Sequence, residues 1–451
     1  MNAFSRRGAC PALAAPMQTG DGLLVRLNPV AGGLSPKSLI GLAESALRHG
    51  NGIMEVTARG SLQIRGLTPD GARLLAIEVD ALGIAVRTGV PVEIGPLAGI
   101  DPYEIADPRP LAERIRVAVE EAGLTPRLGP KVALVVDGGG QLMMDTLTAD
   151  VRLKAVRADN DIIWSVSVAG DGRNAKVLAK VDADAARDIA VAALRMVAEK
   201  GREAHTRDLS GRQLASLAGW HSFAPPSGRT ERDAIEHNRP SIGLFDLNNG
   251  TAIGIALPYG SMPADKIIGL AQRALALGTT EIRLAPCRAL LFLGQPAAAN
   301  LPLRDTAASL GFVTDASDPR TRIAACPGAP ACASGRIATR DIAETIAAEN
   351  ADILDFILHI SGCAKGCAHP GPAALTVVGD ENGAGLVVNA TAKALPAGYR
   401  PGYDAARGIS RVAAMIRSAR LPGETAAACL TRLGAAGIAE AYRQAQTKKR
   451  K

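Results

Sequence analysis

Ile40-Gly-Leu-Ala-Glu-Ser-Ala-Leu-Arg-His-Gly50 and Ile268-Gly-Leu-Ala-Gln-Arg-Ala-Leu-Ala-Leu-Gly278 are one pattern written twice, IGLAxxALxxG, with the second copy starting 228 positions after the first. A repeat of this kind sets the architecture before any single residue is interpreted. The neighbourhoods match as well. Gly22-Leu-Leu-Val-Arg-Leu27 precedes the first string and Ala252-Ile-Gly-Ile-Ala-Leu257 the second. Each string reads as a helix, with proline (Pro36, Pro263) near its first turn and glycine (Gly50, Gly278) just past its end. Two short strands follow each helix, at 53–57 with 61–65 and at 281–285 with 289–293. Each copy is therefore a β-α-β-β unit. One such unit leaves a sheet edge open, and two can pair about a pseudo-twofold axis.

The remainder also divides in two. The first large segment predicts a helix at 111–122, strands at 131–136 and 162–168, and an amphipathic helix at 185–200. The second predicts a helix at 338–348, strands at 354–360, 374–378 and 386–389, and a helix at 405–418. The stretch from Gly211 to Asn249 holds Pro225-Pro226-Ser-Gly228 and has little periodicity, so it reads as a linker. The expected boundaries are a first half domain at 12–78, an α+β domain at 79–205, a linker at 206–245, a second half domain at 246–300, a second α+β domain at 301–425 and a C-terminal segment with a basic tail at 426–451.

Composition narrows the function. The chain has 451 residues, 47% hydrophobic and 21% charged, which excludes a disordered or fibrous protein. No apolar run is long enough to span a membrane. Residues 1–16 carry Arg6, Arg7, Pro11 and Pro16 and give no secretory signal. Aromatics make up 3%, too few for a base-stacking surface. The net charge is +7, but Lys448, Lys449, Arg450 and Lys451 supply four of those charges in a solvated tail. The body is too weakly basic for a nucleic-acid face. Neither a nucleic acid nor a membrane is expected as a partner. Seven cysteines in a chain this long do not make a disulfide scaffold, and the compartment reads as reducing and cytoplasmic.

Four of the cysteines form a constellation. Cys326-Pro-Gly-Ala-Pro-Ala-Cys332 is a C-x5-C loop, and Cys363-Ala-Lys-Gly-Cys367-Ala-His-Pro370 contains C-x3-C directly after a strand. Four thiolates suit tetrahedral zinc or an iron–sulfur cluster. The wide C-x5-C spacing favours the larger cubane. The intervening glycines and alanines let backbone N–H groups approach its sulfides.

These cysteines, on a chain with duplicated units, resemble the sulfite and nitrite reductase family. The resemblance implies an internally duplicated α+β fold. Two ferredoxin-like half domains are paired by a pseudo-twofold axis, and two larger α+β domains flank them. It also implies a 4Fe-4S cluster on Cys326, Cys332, Cys363 and Cys367, with 301–425 as the cluster-binding domain. Thr57-Ala-Arg59-Gly-Ser-Leu-Gln63 is similar to the family's T-x-R-x-x-x-Q segment, which places Arg59 at the tetrapyrrole cleft. Two other segments depart from the family. Val90 stands where the reductases carry an active-site arginine. In Leu128-Gly-Pro-Lys131-Val-Ala133, Lys131 remains and Ala133 replaces a second lysine. Reducing sulfite or nitrite needs converging positive charge and proton donors, and two such groups are missing.

The 363–370 segment, the 326–335 loop and Pro96-Leu-Ala-Gly-Ile-Asp-Pro102 together closely resemble one branch of that family, the precorrin-3B synthases. That resemblance implies an oxygen-dependent monooxygenase acting on precorrin-3A. Its implied cofactors are a 4Fe-4S cluster and a mononuclear non-haem iron, and no sirohaem is expected. A sirohaem-dependent sulfite or nitrite reductase is the alternative.

The implied substrate carries many carboxylates, so its pocket needs arginine and lysine at the rim. Candidates are Arg26, Arg59, Arg65, Lys131, Arg288, Arg336 and Lys365. The resemblance favours Arg59 and Lys131, both also read as catalytic groups. Arg65 is a tentative substrate contact. Lys365, between two cluster ligands, could donate to the cluster or to a substrate carboxylate. His369, two residues past Cys367, is the best single histidine for a ligand or proton donor. His359 begins the approach to the cysteine loop. No pair among His49, His205, His221, His237, His359 and His369 forms a tight motif with a carboxylate that would locate the second iron. Neither glycine-rich segment, Asp137-Gly-Gly-Gly140 nor Gly383-Ala-Gly385, gives a dinucleotide fingerprint. Electrons are therefore expected from NADH through a separate reductase or electron-transfer protein.

Overall fold

The computed structural model describes residues 11–30, 32–142, 144–159, 161–218 and 239–444. Cys10, His221, His237, the Pro225–Gly228 stretch and the basic tail lie outside these residues.

The first unit runs β1 (Met17–Thr19), β2 (Gly22–Leu27), β3 (Gly33–Leu34), α1 (Pro36–His49), β4 (Ile53–Val56), β5 (Leu62–Leu67) and α2 (Pro69–Ala81). Helix α1 starts where the sequence says it should. The Ser35 hydroxyl accepts the Ser38 N–H, and Pro36 needs no donor partner. The first large domain follows, with β6 (Val92–Ile94), α3 (Arg109–Glu121), β7 (Leu134–Asp137), β8 (Ala149–Ala158), β9 (Asp161–Gly170), β10 (Lys176–Val181), α4 (Ala183–Lys200) and α5 (Gly211–Ala218).

The second unit is β11 (Gly243–Leu247), β12 (Gly250–Ala256), β13 (Ser261–Pro263), α6 (Ala264–Ala276), β14 (Glu281–Ala285), β15 (Ala289–Leu293) and α7 (Asn300–Ser309). The second large domain holds β16 (Ile323–Ala325), α8 (Thr339–Glu349), β17 (Leu358–Ser361), β18 (Ala373–Asp380), β19 (Gly383–Ala390), β20 (Gly398–Arg400), α9 (Ala405–Ala419) and α10 (Ala426–Arg443).

The four sheets repeat the duplication. The unit sheets are ordered β1-β2-β5-β4-β13 and β11-β12-β15-β14-β3. Each unit thus gives its neighbour an edge strand: β13 pairs with β4, and β3 with β14, both antiparallel. The two IGLA helices meet in one core. Leu39, Leu42, Ala43 and Ala46 of α1 are buried with Ile267, Leu270, Ala271 and Ala274 of α6. Each leucine buried there contributes about 1.5–3 kcal/mol. The large domains also match. β6-β7-β8 and β16-β17-β18 are parallel, and an antiparallel pair completes each sheet.

Several boundaries shift for packing reasons. The predicted linker is in part ordered, because α5 buries Leu217 against the first large domain and β11 already belongs to the second unit. That unit runs past residue 300, since Leu303 and Ala307 of α7 enter the shared core. The segment after 425 is no appendage. Cys429, Leu430, Ile438 and Tyr442 of α10 are fully buried in the second large domain.

Candidate functional site: a four-cysteine centre beside an arginine-lined cleft

Parallel strands β16 and β17 end side by side and deliver both cysteine loops to one place. Cys326 follows β16 directly, and Cys363 lies two residues past β17. The Gly362 N–H donates to Cys326 Sγ at 3.1 Å, and the Arg336 N–H donates to the Gly362 carbonyl at 2.8 Å, tying one loop to the other. The Ser361 hydroxyl donates to the Cys363 carbonyl at 2.7 Å, and the Thr339 hydroxyl donates to that of Cys326. Glycine is required where the loops cross. A Cβ on Gly335 would stand 2.6 Å from the Gly328 carbonyl carbon, and one on Gly362 would stand 3.1 Å from the Gly328 Cα.

Cys326, Cys332 and Cys363 are half-buried and Cys367 is exposed. The Cys367 thiol is pushed up, first by burial among surrounding groups and then by the neighbouring charges of Cys363, Cys326 and Cys332. The other three thiols therefore all act on Cys367. A tetrahedral zinc would bring its sulfurs to within about 3.8 Å of each other. Among the described residues no three His, Cys, Asp or Glu side chains are close enough to hold one metal ion. Four thiols carried by two loops that cross at glycine backbone fit a multi-iron cluster. The described residues show no ligand set for a mononuclear iron.

The C-x5-C loop is clamped to the first unit. Arg65 of β5 is 4% exposed. Its guanidinium donates to both Asp21 oxygens (3.0 and 2.9 Å), to Glu55 at 3.3 Å and to the Ala331 carbonyl at 2.6 Å. Glu55 also accepts from Arg340 of α8. The Gly20 N–H reaches the same Ala331 carbonyl at 3.3 Å. These contacts correct the expectation that Arg65 is a rim charge. Its donors are occupied by the clamp, out of reach of a substrate carboxylate.

Arg59, in the turn between β4 and β5, lies at a cavity. It donates to the Thr148 carbonyl and lines a cavity of about 480 Å³ with Arg87, Glu93, Arg116 and Arg283. Arg87 pairs with Glu93 at 3.2 Å. Arg283 pairs with Glu281 at 2.8 Å and donates to the Pro96 carbonyl at 3.0 Å. The sequence reading passed over Arg87, Arg116 and Arg283. The signal for Arg283 was available, because Ile282 and Leu284 on either side face the core and alternation turns Arg283 outward. Lys131 is exposed but does not line this cavity. Val90 packs on the first large domain's core, and Ala133 is buried.

The symmetry mate of the Arg59 turn is Pro286-Cys287-Arg288. The two turns touch, with the Cys287 N–H donating to the Ala58 carbonyl at 3.1 Å. Cys287 and Arg288 both adopt positive φ, 61° and 66°, which costs about 1–2 kcal/mol per non-glycine residue. The Arg288 guanidinium donates to the Ala368 carbonyl at 3.4 Å, next to Cys367. Lys365 Nζ donates to Ser334 Oγ at 2.8 Å and so bridges the two cysteine loops. His369 Nε2 lies 3.1 Å from the Pro372 carbonyl, and its ring meets that of His359 edge-on at 5.7 Å.

The chain resembles known proteins in sequence and in fold. Residues 15–81 match the nitrite/sulfite reductase ferredoxin-like half domain. The NirA protein of Mycobacterium tuberculosis superposes with a TM-score of 0.72 at 19% identity, over 92% of this chain and 84% of its own. The assimilatory ferredoxin-dependent nitrite reductase of Haloferax mediterranei is 23% identical over 79% of this chain and 70% of its own length. A precorrin-3B synthase from Sinorhizobium is 38% identical over 98% of this chain and 96% of its own length. A likeness that strong along nearly the whole length of both proteins means that the chain belongs to the precorrin-3B synthase family.

Proposed function

We propose that this chain hydroxylates precorrin-3A at a meso carbon with dioxygen and closes a lactone with the ring-A acetate, giving precorrin-3B in aerobic cobalamin biosynthesis. One oxygen atom enters the macrocycle and the other leaves as water, so two electrons and two protons must come from outside. Cys326, Cys332, Cys363 and Cys367 would hold a 4Fe-4S cluster. Bound there with all four irons ligated by cysteine, it would supply one-electron transfer. Electrons would reach it from a separate electron-transfer protein or reductase, ultimately from NADH. Among the described residues no helix is long and apolar enough to cross a membrane, which suits the cytoplasmic setting we infer.

The chain's own residues bind and orient. Arg59 would pair with a substrate carboxylate at the cleft, in the cavity that Arg87 and Arg283 also line beside their own carboxylate partners. Lys365, exposed between the cluster ligands, and Lys131 would extend that recognition outward. His369, two residues past Cys367, is the group we assign to carry a proton at the cluster side. The arginine-lined cavity is the observation that carries the reading: it suits a polycarboxylate macrocycle. The apolar, packed side chains of Val90 and Ala133 would give a small oxyanion nothing to bind.

The test is anaerobic purification, an absorption spectrum with iron and sulfide counts, and then incubation with precorrin-3A, dioxygen and a reductant. Broad iron–sulfur absorption and a product heavier by one oxygen atom are expected. Bound sirohaem with turnover of sulfite or nitrite would overturn the reading.

A further inference from the structure

Strand β17 runs Leu358-His359-Ile360-Ser361 with every residue buried. Leu358 and Ile360 enter the core beneath α8 and α9. Alternation turns His359 to the opposite face, under the C-x3-C loop. A Cβ on Gly366, between Cys363 and Cys367, would stand 3.7 Å from His359 Cε1. In register beside His359 lie Ala324 of β16 and Thr376 of β18.

His359 is 0% exposed, and neither Nδ1 nor Nε2 has a hydrogen-bond partner among the described residues; the same holds for Thr376 Oγ1. Burial, reinforced by the charges of His369 and Arg288, pushes the imidazole down to about 4, so it is neutral near pH 7 and carries one N–H. An apolar residue would suit this sheet position better than an imidazole with two orphaned nitrogens. The C-x3-C loop lies over this face, so what the cysteine loops hold is placed to supply the acceptor.

On the reading that the four cysteines bind a 4Fe-4S cluster, we propose that His359 is a positioning residue that donates an N–H hydrogen bond to a cluster sulfur and thereby sets the cluster's reduction potential. Such a bond stabilises the reduced, more negative cluster, so it raises the potential. No substrate contact is involved.

The experiment uses the full chain loaded with its cluster, together with His359→Leu and His359→Gln. The potential is measured by dye-mediated redox titration followed by electron paramagnetic resonance. The Leu variant should titrate at lower potential than the parent, and the Gln variant, which keeps a donor, should stay near it. A fully loaded Leu variant with the parent's potential overturns the proposal. Melting of the cluster-free proteins gives a second readout. There the Leu variant should melt above the parent, because an unpartnered imidazole is gone, and cluster loading should abolish that gain. If the Leu variant does not retain its cluster, an unchanged or lower melting temperature in the cluster-free protein overturns the proposal. A parent chain with no iron–sulfur absorption would instead sink the cluster reading itself.

Discussion

Replacing Arg65 by alanine tests whether the first unit holds the cluster loop. The change removes four hydrogen bonds, three of them to carboxylates. Two charges lose a partner unequally. Asp21 keeps 15% side-chain exposure and can recover water, while Glu55, at 6%, retains Arg340. Breaking a buried pair from one side costs about 3–5 kcal/mol, and these two reliefs put the loss near the lower end, about 3 kcal/mol. Arg65→Lys keeps a charge without the fork and should lose about 1–2 kcal/mol. Urea unfolding of the cluster-free chain reads both, so that cluster binding does not enter. The cluster of the loaded Arg65→Ala variant should also bleach faster in air. The clamp should weaken in acid. Burial alone would raise the Asp21 carboxyl, but the hydrogen bonds from Arg65 and Thr19 outweigh it and hold the group below its ordinary 3.8. Its stabilisation is therefore full above about pH 4 and is lost as the pH falls further. A loss under about 1 kcal/mol for Arg65→Ala, with an unchanged bleaching rate, would refute the clamp.

Three further outcomes are expected. Arg59→Ala should weaken precorrin-3A binding about 10- to 150-fold, the value of one charged hydrogen bond of about 1.5–3 kcal/mol, while leaving iron–sulfur absorption intact; equilibrium titration reads it. Cys363→Ala should lose iron–sulfur absorption and turnover together, and retention of both would remove it from the ligand set. Glu104 is raised to about 7, chiefly by burial, with Asp101 and Asp107 adding to it. The folded state therefore holds a proton that the unfolded state has lost, and stability should fall as pH rises from about 4.5 to 7. Glu104→Gln should flatten that slope in denaturant titrations at a series of pH values.

The repeat was legible because a helix buried against its own copy keeps the same apolar spacing, and α1 and α6 do so. The grouping of the four cysteines was legible because they lie on two short loops. Arg65 was misread for a specific reason. Gln63 and Arg65 alternate with Leu62 and Ile64 on β5, so they look solvent-facing, yet the second large domain covers that face and both are buried. Strand exchange was invisible, since β3 and β13 are two and three residues long and too short for any period. Helix α10 was missed where Gly434, at φ 72°, interrupts its apolar rhythm. The cavity arginines were hard to single out because they come from both units and the first large domain, and only the folded chain assembles them.

The exchanged edge strands reach beyond the fold. A single copy of the unit would leave β4 without its neighbour, and an identical second copy would close that edge while having its own closed in return. The present chain thus has the architecture of a homodimer whose two subunits share one chain. A true homodimer must change both copies at once. One chain frees them to diverge: the position that is Arg59 in the first unit is Cys287 in the second, and the paired cysteines occur in only one of the two large domains. An asymmetric site on a symmetric frame is what a tethered dimer permits and an untethered one forbids.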